Sequence, residues 1–128
     1  TGRMIAGIGT DIAAVARLQR LYERHGEVAL GHLLARSERA DFERALDKGR
    51  FLAKRFAAKE AFAKALGTGL RAPAVLPSIA VSHDALGKPR FEFAPELAAL
   101  VQQRDLTAHL SLSDEQEFVV AFVVLECA

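Results

Sequence analysis

Cysteine is nearly missing from this chain. Cys127 is the only one in 128 residues, which excludes an intrachain disulfide and any cysteine-rich zinc site and fits a reducing cytoplasm. An excess of one charge is missing too. Lysine and arginine number 17 against 16 acidic residues, and a net charge of +1 is too small to mark a polyanion-binding protein, so no nucleic-acid partner is expected. An acidic partner must be met by a local patch. No run approaches the roughly 18 apolar residues of a membrane helix, and no basic segment followed by an apolar run opens the chain. The expectation is a soluble, cytoplasmic protein with no membrane partner. His25, His32, His83 and His109 lack metal-ligand spacing and read as structural or surface residues. No Walker spacing, no glycine-flanked nucleophilic serine, no repeat and no linker is present.

What is present is a chain of one-domain length that is 51% hydrophobic, enough for one buried core without staples. We read residues 1–128 as one domain. Thr1, Gly2 and Arg3 precede Met4 and are set aside as partly an expression remnant.

Met4 to Gly9 reads as a short buried strand that delivers Asp11 to a turn. Ile12, Val15, Leu18 and Leu21 recur every three residues and predict an amphipathic helix from Ile12 to Tyr22, with Arg17, Arg20 and Arg24 along its other face. Ser37 is placed to cap a helix through about Leu46, with Glu38 and Asp41 near its positive end, and Gly49 to separate it from the next. Arg50 to Leu66 has no glycine or proline and is followed by Gly67, the signature of a helix with a left-handed C-cap. Arg71 to Pro77 reads as loop, and Ile79 and Val81 as a half-buried strand. Leu86-Gly87-Lys88-Pro89 makes a turn, Phe91 and Phe93 mark a strand, and Pro95 starts a helix through about Gln103. Leu110 and Leu112 mark another strand, and Asp114 to Glu117 a hairpin connection. Phe118 to Leu125 is apolar almost throughout and predicts a strand buried on both faces. The fold class is α+β, helices packed on an antiparallel sheet.

Asp11 and Glu60 are the candidate metal ligands, since a hard cation such as Mg²⁺ takes a few carboxylate oxygens and completes its shell with water and substrate phosphates. Singly they also read as a cap aspartate and as a helix glutamate paired with Lys64 at i+4. At about 100° per residue, however, Glu60 shares a face with Ala53, Phe56 and Ala63, beside an apolar stripe where an idle carboxylate is costly. Lys59 and Lys64 flank it and Arg55 lies upstream, so one helix collects three cations able to hold phosphates, or forms a solvated basic face. Gly67-Thr68-Gly69 offers backbone that a phosphate or pantetheine arm can approach closely, although a C-cap accounts for Gly67 equally well. The three arginines of the first helix, at i, i+3 and i+7, form a positive strip. Ser111 and Ser113 share one face of a strand, and Lys88 by itself is ordinary turn chemistry.

Taken together, Gly7-Ile8-Gly9-Thr10-Asp11-Ile12, the block Arg55-Phe56-Ala57-Ala58-Lys59-Glu60-Ala61-Phe62-Ala63-Lys64-Ala65-Leu66-Gly67-Thr68-Gly69, Gly87-Lys88-Pro89 and Leu110-Ser111-Leu112-Ser113 resemble the holo-acyl-carrier-protein synthase family in order and spacing over nearly the whole chain. The resemblance implies a homotrimer with coenzyme A in clefts between subunits and Mg²⁺ held by Asp11 and Glu60. It implies catalytic roles for Glu60 and Lys64 and coenzyme A contacts from Arg55, Lys64, Gly67, Lys88 and Pro89. Arg17 and Arg24 would face the acidic helix of an acyl carrier protein. Its implied reaction is Mg²⁺-dependent transfer of 4′-phosphopantetheine from coenzyme A to a carrier serine, in support of fatty acid biosynthesis. Many members carry a histidine where this chain has Asp114, so no histidine role transfers there, and a metal-ordered water or a carboxylate remains open as the general base.

Two other readings compete. A trimeric binding module would hold a nucleotide or carrier protein on the basic face without transferring anything. A metal-dependent nuclease is disfavoured by the low net charge and the few carboxylates.

Overall fold

The computed structural model describes residues 2–128. Strand β1 (Met4–Ala14) leads into helices α1 (Val15–His25) and α2 (Glu27–Leu33), a 3-10 turn (Arg36–Glu38), α3 (Arg39–Arg44) and the long α4 (Lys48–Leu66). A second 3-10 turn (Leu76–Ser78) precedes β2 (Ile79–His83) and β3 (Pro89–Phe93), followed by α5 (Pro95–Gln103), β4 (Leu106–Asp114) and β5 (Phe118–Cys127). β1, β5 and β4 form one antiparallel sheet in that order, and β2 and β3 pair as a separate antiparallel hairpin. The α+β reading holds.

α4 is the centre of the fold. Sequence periodicity gave it one apolar stripe, but Leu52, Ala53, Ala57, Ala58, Ala61, Phe62, Ala63, Ala65 and Leu66 are buried around most of its circumference. Alanines make this possible, because a helix with short side chains lets its neighbours come near on several sides. Lys64 is its exposed residue. Asp47 caps its start by accepting from the Arg50 N–H, and Gly67 closes its end at φ +90° as expected.

Gly7 and Gly9 set how β1 meets α4. A Cβ on Gly7 would collide with the carbonyl oxygen of Ala65, and one on Gly9 with that of Ala61. Both obstacles are helix backbone and cannot swing aside, so these positions tolerate no side chain. The strand therefore lies directly on the helix.

Several boundaries differ from expectation. β1 runs on to Ala14, paired with Phe118 of β5, so Asp11 lies inside a strand opposite Ala121, not in a turn, and α1 begins at Val15. Ile12 is consequently exposed on the sheet and not part of a helix face. Ser37 caps nothing: Glu38 accepts from the Ala35 N–H, and the expected single helix is a 3-10 turn followed by α3. Gly49 lies within α4, packed on Gln19, and separates nothing. α2 carries no signal that the sequence reading used. β5 is buried on one face only, since Val119, Ala121, Val123 and Leu125 face the core while Phe118, Val120 and Phe122 are 47%, 40% and 43% exposed.

Candidate active site

Strand period two turns Gly9, Asp11 and Ala13 toward α4, and with Gly9 contributing no side chain, Asp11 is the first carboxylate to reach the helix. Lys64 Nζ donates to Asp11 Oδ1 at 3.1 Å and to the Thr10 carbonyl at 2.9 Å. Asp11 Oδ2 is buried without any hydrogen-bond partner. An unpartnered buried carboxylate oxygen is costly and calls for a cation or a donor that the folded chain does not supply.

Glu60 sits one helical turn before Lys64. Its pKa is raised, first by burial and then by the Asp11 charge, with Lys64 and Arg17 pulling it down. Two carboxylates near enough to repel, one of them with an idle oxygen, fit a hard divalent cation whose remaining positions go to water and phosphate. No group of three or more histidine, cysteine or acidic side chains among the described residues could hold a metal by itself. A pair suits an ion whose coordination substrate completes.

The three-cation cluster expected around Glu60 does not form. Lys59 is fully buried on the other side of α4, donating to Glu38 Oε1 at 2.6 Å and to the carbonyls of Leu33 and Leu76 at 2.7 and 3.0 Å. Burial lowers its pKa to about 8, against the pull of Glu38. Arg55 lies five residues, about 140° around the helix, from Glu60. It donates to Glu38 Oε2 at 2.9 Å, to the Val81 carbonyl at 2.8 Å and to Asp41 at 3.4 Å, with its guanidinium over the Phe51 ring. Glu38 thus accepts from Lys59, Arg55 and the backbone N–H groups of Ala35 and Val81. This buried hub was read from the sequence only as a helix-end charge.

Arg55 instead lines a separate cleft with Arg50, Lys54, His83 and Leu112. Arg50 and Lys54 there meet Asp114 at 2.9 and 3.7 Å, and burial, with the Arg55 charge, lowers the His83 pKa. Arg50, Lys54 and His83 were not singled out because they match no motif and because His83 and Asp114 reach the two α4 cations from distant parts of the chain. Lys88 and Pro89 stand at the β2–β3 turn, whose Asp84 accepts from the Leu86 and Lys88 N–H groups. Gly67 lies near Lys64, at the end of α4.

Arg17, Arg20 and Arg24 line one shallow concavity with Leu21 and His25, as the helical spacing predicts. Beside it, Leu21, His25, Val28, Ala29, His32 and Leu33 line a more apolar groove between α1 and α2. Ser111 and Ser113 face outward beside Phe122 and Val120.

Two carboxylates beside a lysine, where a helix lies on a three-stranded antiparallel sheet, mark an α+β protein with a candidate cation site. The family model described as the 4′-phosphopantetheinyl transferase superfamily matches residues 7–123, and the chain belongs to that superfamily. Its relatives within it include holo-[acyl-carrier-protein] synthases. The one from Dechloromonas aromatica is 63% identical, with 98% of this chain and all of that protein covered. The crystal structure of the Neisseria meningitidis enzyme superposes with a TM-score of 0.91 at 46% identity, covering 95% of this chain and 98% of that one. The Bacillus anthracis enzyme, in complex with CoA (3′,5′-ADP), superposes with a TM-score of 0.81 at 34% identity, covering 98% and 99%.

Proposed function

We propose that this chain acts as a holo-[acyl-carrier-protein] synthase that moves the 4′-phosphopantetheine group of coenzyme A onto a serine of apo-acyl carrier protein, with Asp11 and Glu60 holding Mg²⁺. The observation that carries the metal assignment is the buried, unpartnered Oδ2 of Asp11 next to a second carboxylate. When bound, Mg²⁺ would neutralise phosphate charge.

In the reaction the serine hydroxyl loses its proton to solvent as its oxygen bonds to the β-phosphorus of coenzyme A, the bond from that phosphorus to the bridging oxygen breaks, and 3′,5′-ADP leaves. Negative charge spreads over the phosphoryl and leaving oxygens, so positioning and fixed positive charge lower the barrier. Lys64 is suited to this work. It is half-exposed, already aimed at Asp11, and mounted on a helix that core packing holds still. The Gly67–Gly69 backbone after it is open to a close approach by the pantetheine arm.

Arg55, Lys88 and Pro89 complete the same proposal from a distance. Arg55, which turns away from Glu60 around α4, and Lys88 and Pro89 at the β2–β3 turn would reach coenzyme A across a cleft shared between neighbouring subunits. The outward row of Ile8, Ile12, Phe118, Val120 and Phe122 on β1 and β5 supports a homotrimer, because an apolar sheet face of this kind is buried in stable assemblies. Arg17 and Arg24 would receive the acidic face of the carrier, with the neighbouring apolar groove giving it a place to bury side chains. A cytoplasmic location and a role in fatty acid biosynthesis belong to this reading. No helix of the described residues is long and apolar enough to cross a membrane.

Release of 3′,5′-ADP from coenzyme A, followed by chromatography with and without apo-carrier, tests the assignment. Release that requires both the carrier and Mg²⁺ is expected; binding of coenzyme A without release would favour the non-enzymatic module.

A further inference from the structure

Glu38, Lys59 and Arg55 are the buried charged residues among those described, and no step of the proposed reaction uses Glu38 or Lys59. Their hydrogen bonds reach backbone well outside α4. Lys59 donates to the Leu33 carbonyl at the end of α2 and to the Leu76 carbonyl of the second 3-10 turn, Arg55 donates to the Val81 carbonyl on β2, and Glu38 accepts from the N–H groups of Ala35 and Val81.

α4 needs an anchor of this kind. It is apolar around most of its circumference and rich in alanine, and apolar attraction has no direction, so burial alone is satisfied at more than one rotation about the helix axis. β1 adds no interlocking side chain where it crosses: Gly7 and Gly9 lie against the carbonyls of Ala65 and Ala61. Hydrogen bonds do have direction, and Lys59 and Arg55 both present theirs to Glu38 from one face of the helix. At about 100° per residue these two stand about 40° apart, as Glu60 and Lys64 do, and the two pairs lie about 140° apart around α4. Fixing one pair therefore fixes the other. A rotation of about 20°, at a side-chain radius of about 5–6 Å, moves a side-chain tip by about 2 Å, enough to break the 3.1 Å contact of Lys64 with Asp11. A buried ion pair adds little net stability over apolar residues of the same volume, whereas its directional bonds can select one arrangement among several.

We propose that Glu38, Lys59 and Arg55 form a positioning hub that sets the rotation of α4 and so places Glu60 and Lys64 against Asp11. Glu38 and Lys59 touch no substrate in the proposed reaction and act through the helix. The inference rests on reading Asp11, Glu60 and Lys64 as the reacting site. Displacing reacting groups by about 1 Å costs on the order of a hundredfold in rate, so loss of the hub shows in turnover while the chain is still folded.

Glu38→Gln and Lys59→Met test this, each compared with Leu97→Ala, a core truncation on α5, which packs on β3 and β4. Measurements are made at a temperature where circular dichroism shows the variants folded, and Lys59→Met, which removes a buried charge with little change in volume, decides the matter if Glu38→Gln does not fold. Both hub variants are expected to lose about a hundredfold in turnover and to bind Mn²⁺, a probe of the Asp11–Glu60 pair, about tenfold more weakly, with the Michaelis constant for the carrier unchanged. Leu97→Ala should match the unaltered protein in all three. Folded hub variants with unaltered turnover and Mn²⁺ affinity, or an equal loss in Leu97→Ala, would overturn the positioning role and leave the hub a matter of stability. Asp11→Asn separates the two levels: if it binds Mn²⁺ as well as the unaltered protein does, the metal reading falls and the hub is judged on turnover alone.

Discussion

Lys64 and Asp11 are joined at 3.1 Å across the seam between α4 and β1, while the second oxygen of Asp11 is buried with no partner. The lysine thus holds one oxygen and leaves the other for an ion. Lys64→Ala should lower turnover about a hundredfold, as expected for losing one preorganised charge at a phosphoryl transfer, with a smaller change in the Michaelis constant for the carrier. Arg24→Glu should invert that pattern by placing a negative charge against an acidic partner. Steady-state kinetics with both substrates varied distinguishes them, and equal effects on turnover would show that the two charged surfaces are one.

Glu60 is held in a place that raises its pKa, so its charge works against folding. Between the ordinary glutamate value and the raised one the folded state binds more protons than the unfolded state. Stability is therefore lost as pH rises through that window, and the loss persists above it. Glu60→Gln removes this penalty. In metal-free buffer at neutral pH the variant should melt higher than the unaltered protein, with the gain vanishing below about pH 4. Its transfer activity should be lost. Melting curves against pH check the first part, and a lower melting temperature at neutral pH would contradict it.

The same pKa shift fixes the acid limb of activity. Protons compete with the cation for Glu60, so at limiting Mg²⁺ the rate should fall below a pH above the usual glutamate range, and excess Mg²⁺ should move that limb to lower pH. A rate profile at two Mg²⁺ concentrations measures this. An acid limb that ignores Mg²⁺ would separate Glu60 from the metal.

Glu38 balances two buried cations, Lys59 and Arg55, and its removal leaves Lys59 without a counter-charge and Arg55 with Asp41 alone at 3.4 Å. Glu38→Ala should therefore cost about 3–5 kcal/mol of stability, far more than a surface glutamate would. Chemical denaturation measures it, and a loss below about 1 kcal/mol would mean that the hub is dispensable.

Much of the frame was legible in the sequence. The helix ending at Gly67, the turn at Gly87-Lys88-Pro89, α5 from Pro95 and the strand identities all follow from caps, turn residues and alternation. What was not legible depended on contacts between distant segments. β1 continues past Asp11 because β5 pairs with it as far as Ala14, and local signals at Gly9-Thr10 suggested a turn instead. Lys59 and Glu60 are adjacent in sequence and chemically alike in exposure preference, yet α4 is packed on several sides and sends them to different surroundings. Gly7 and Gly9 stood out as a motif, but the reason for them is the backbone of Ala61 and Ala65, more than fifty residues on. Of the expected site, Lys64 reaches Asp11 and Glu60 lies one turn before it on α4, whereas Arg55 turns away to Glu38, Asp41 and Val81.

The open apolar face gives a test of assembly. Phe122 is 43% exposed beside Ile12 and Val120, on the side of β5 away from the core. Phe122→Asp should leave the fold intact and shift sedimentation from trimer to monomer, with transfer activity lost alongside. A monomeric variant with full activity would remove the shared cleft from the account.

Intact-mass measurement of the carrier decides whether this chain transfers phosphopantetheine with Asp11 and Glu60 holding the required ion. Incubated with coenzyme A and Mg²⁺, apo-acyl carrier protein should gain the mass of one phosphopantetheine group with the unaltered chain and remain apo with Asp11→Asn or Glu60→Gln over the same interval. An unchanged carrier mass with the unaltered chain, or full conversion by Asp11→Asn at limiting Mg²⁺, would contradict it.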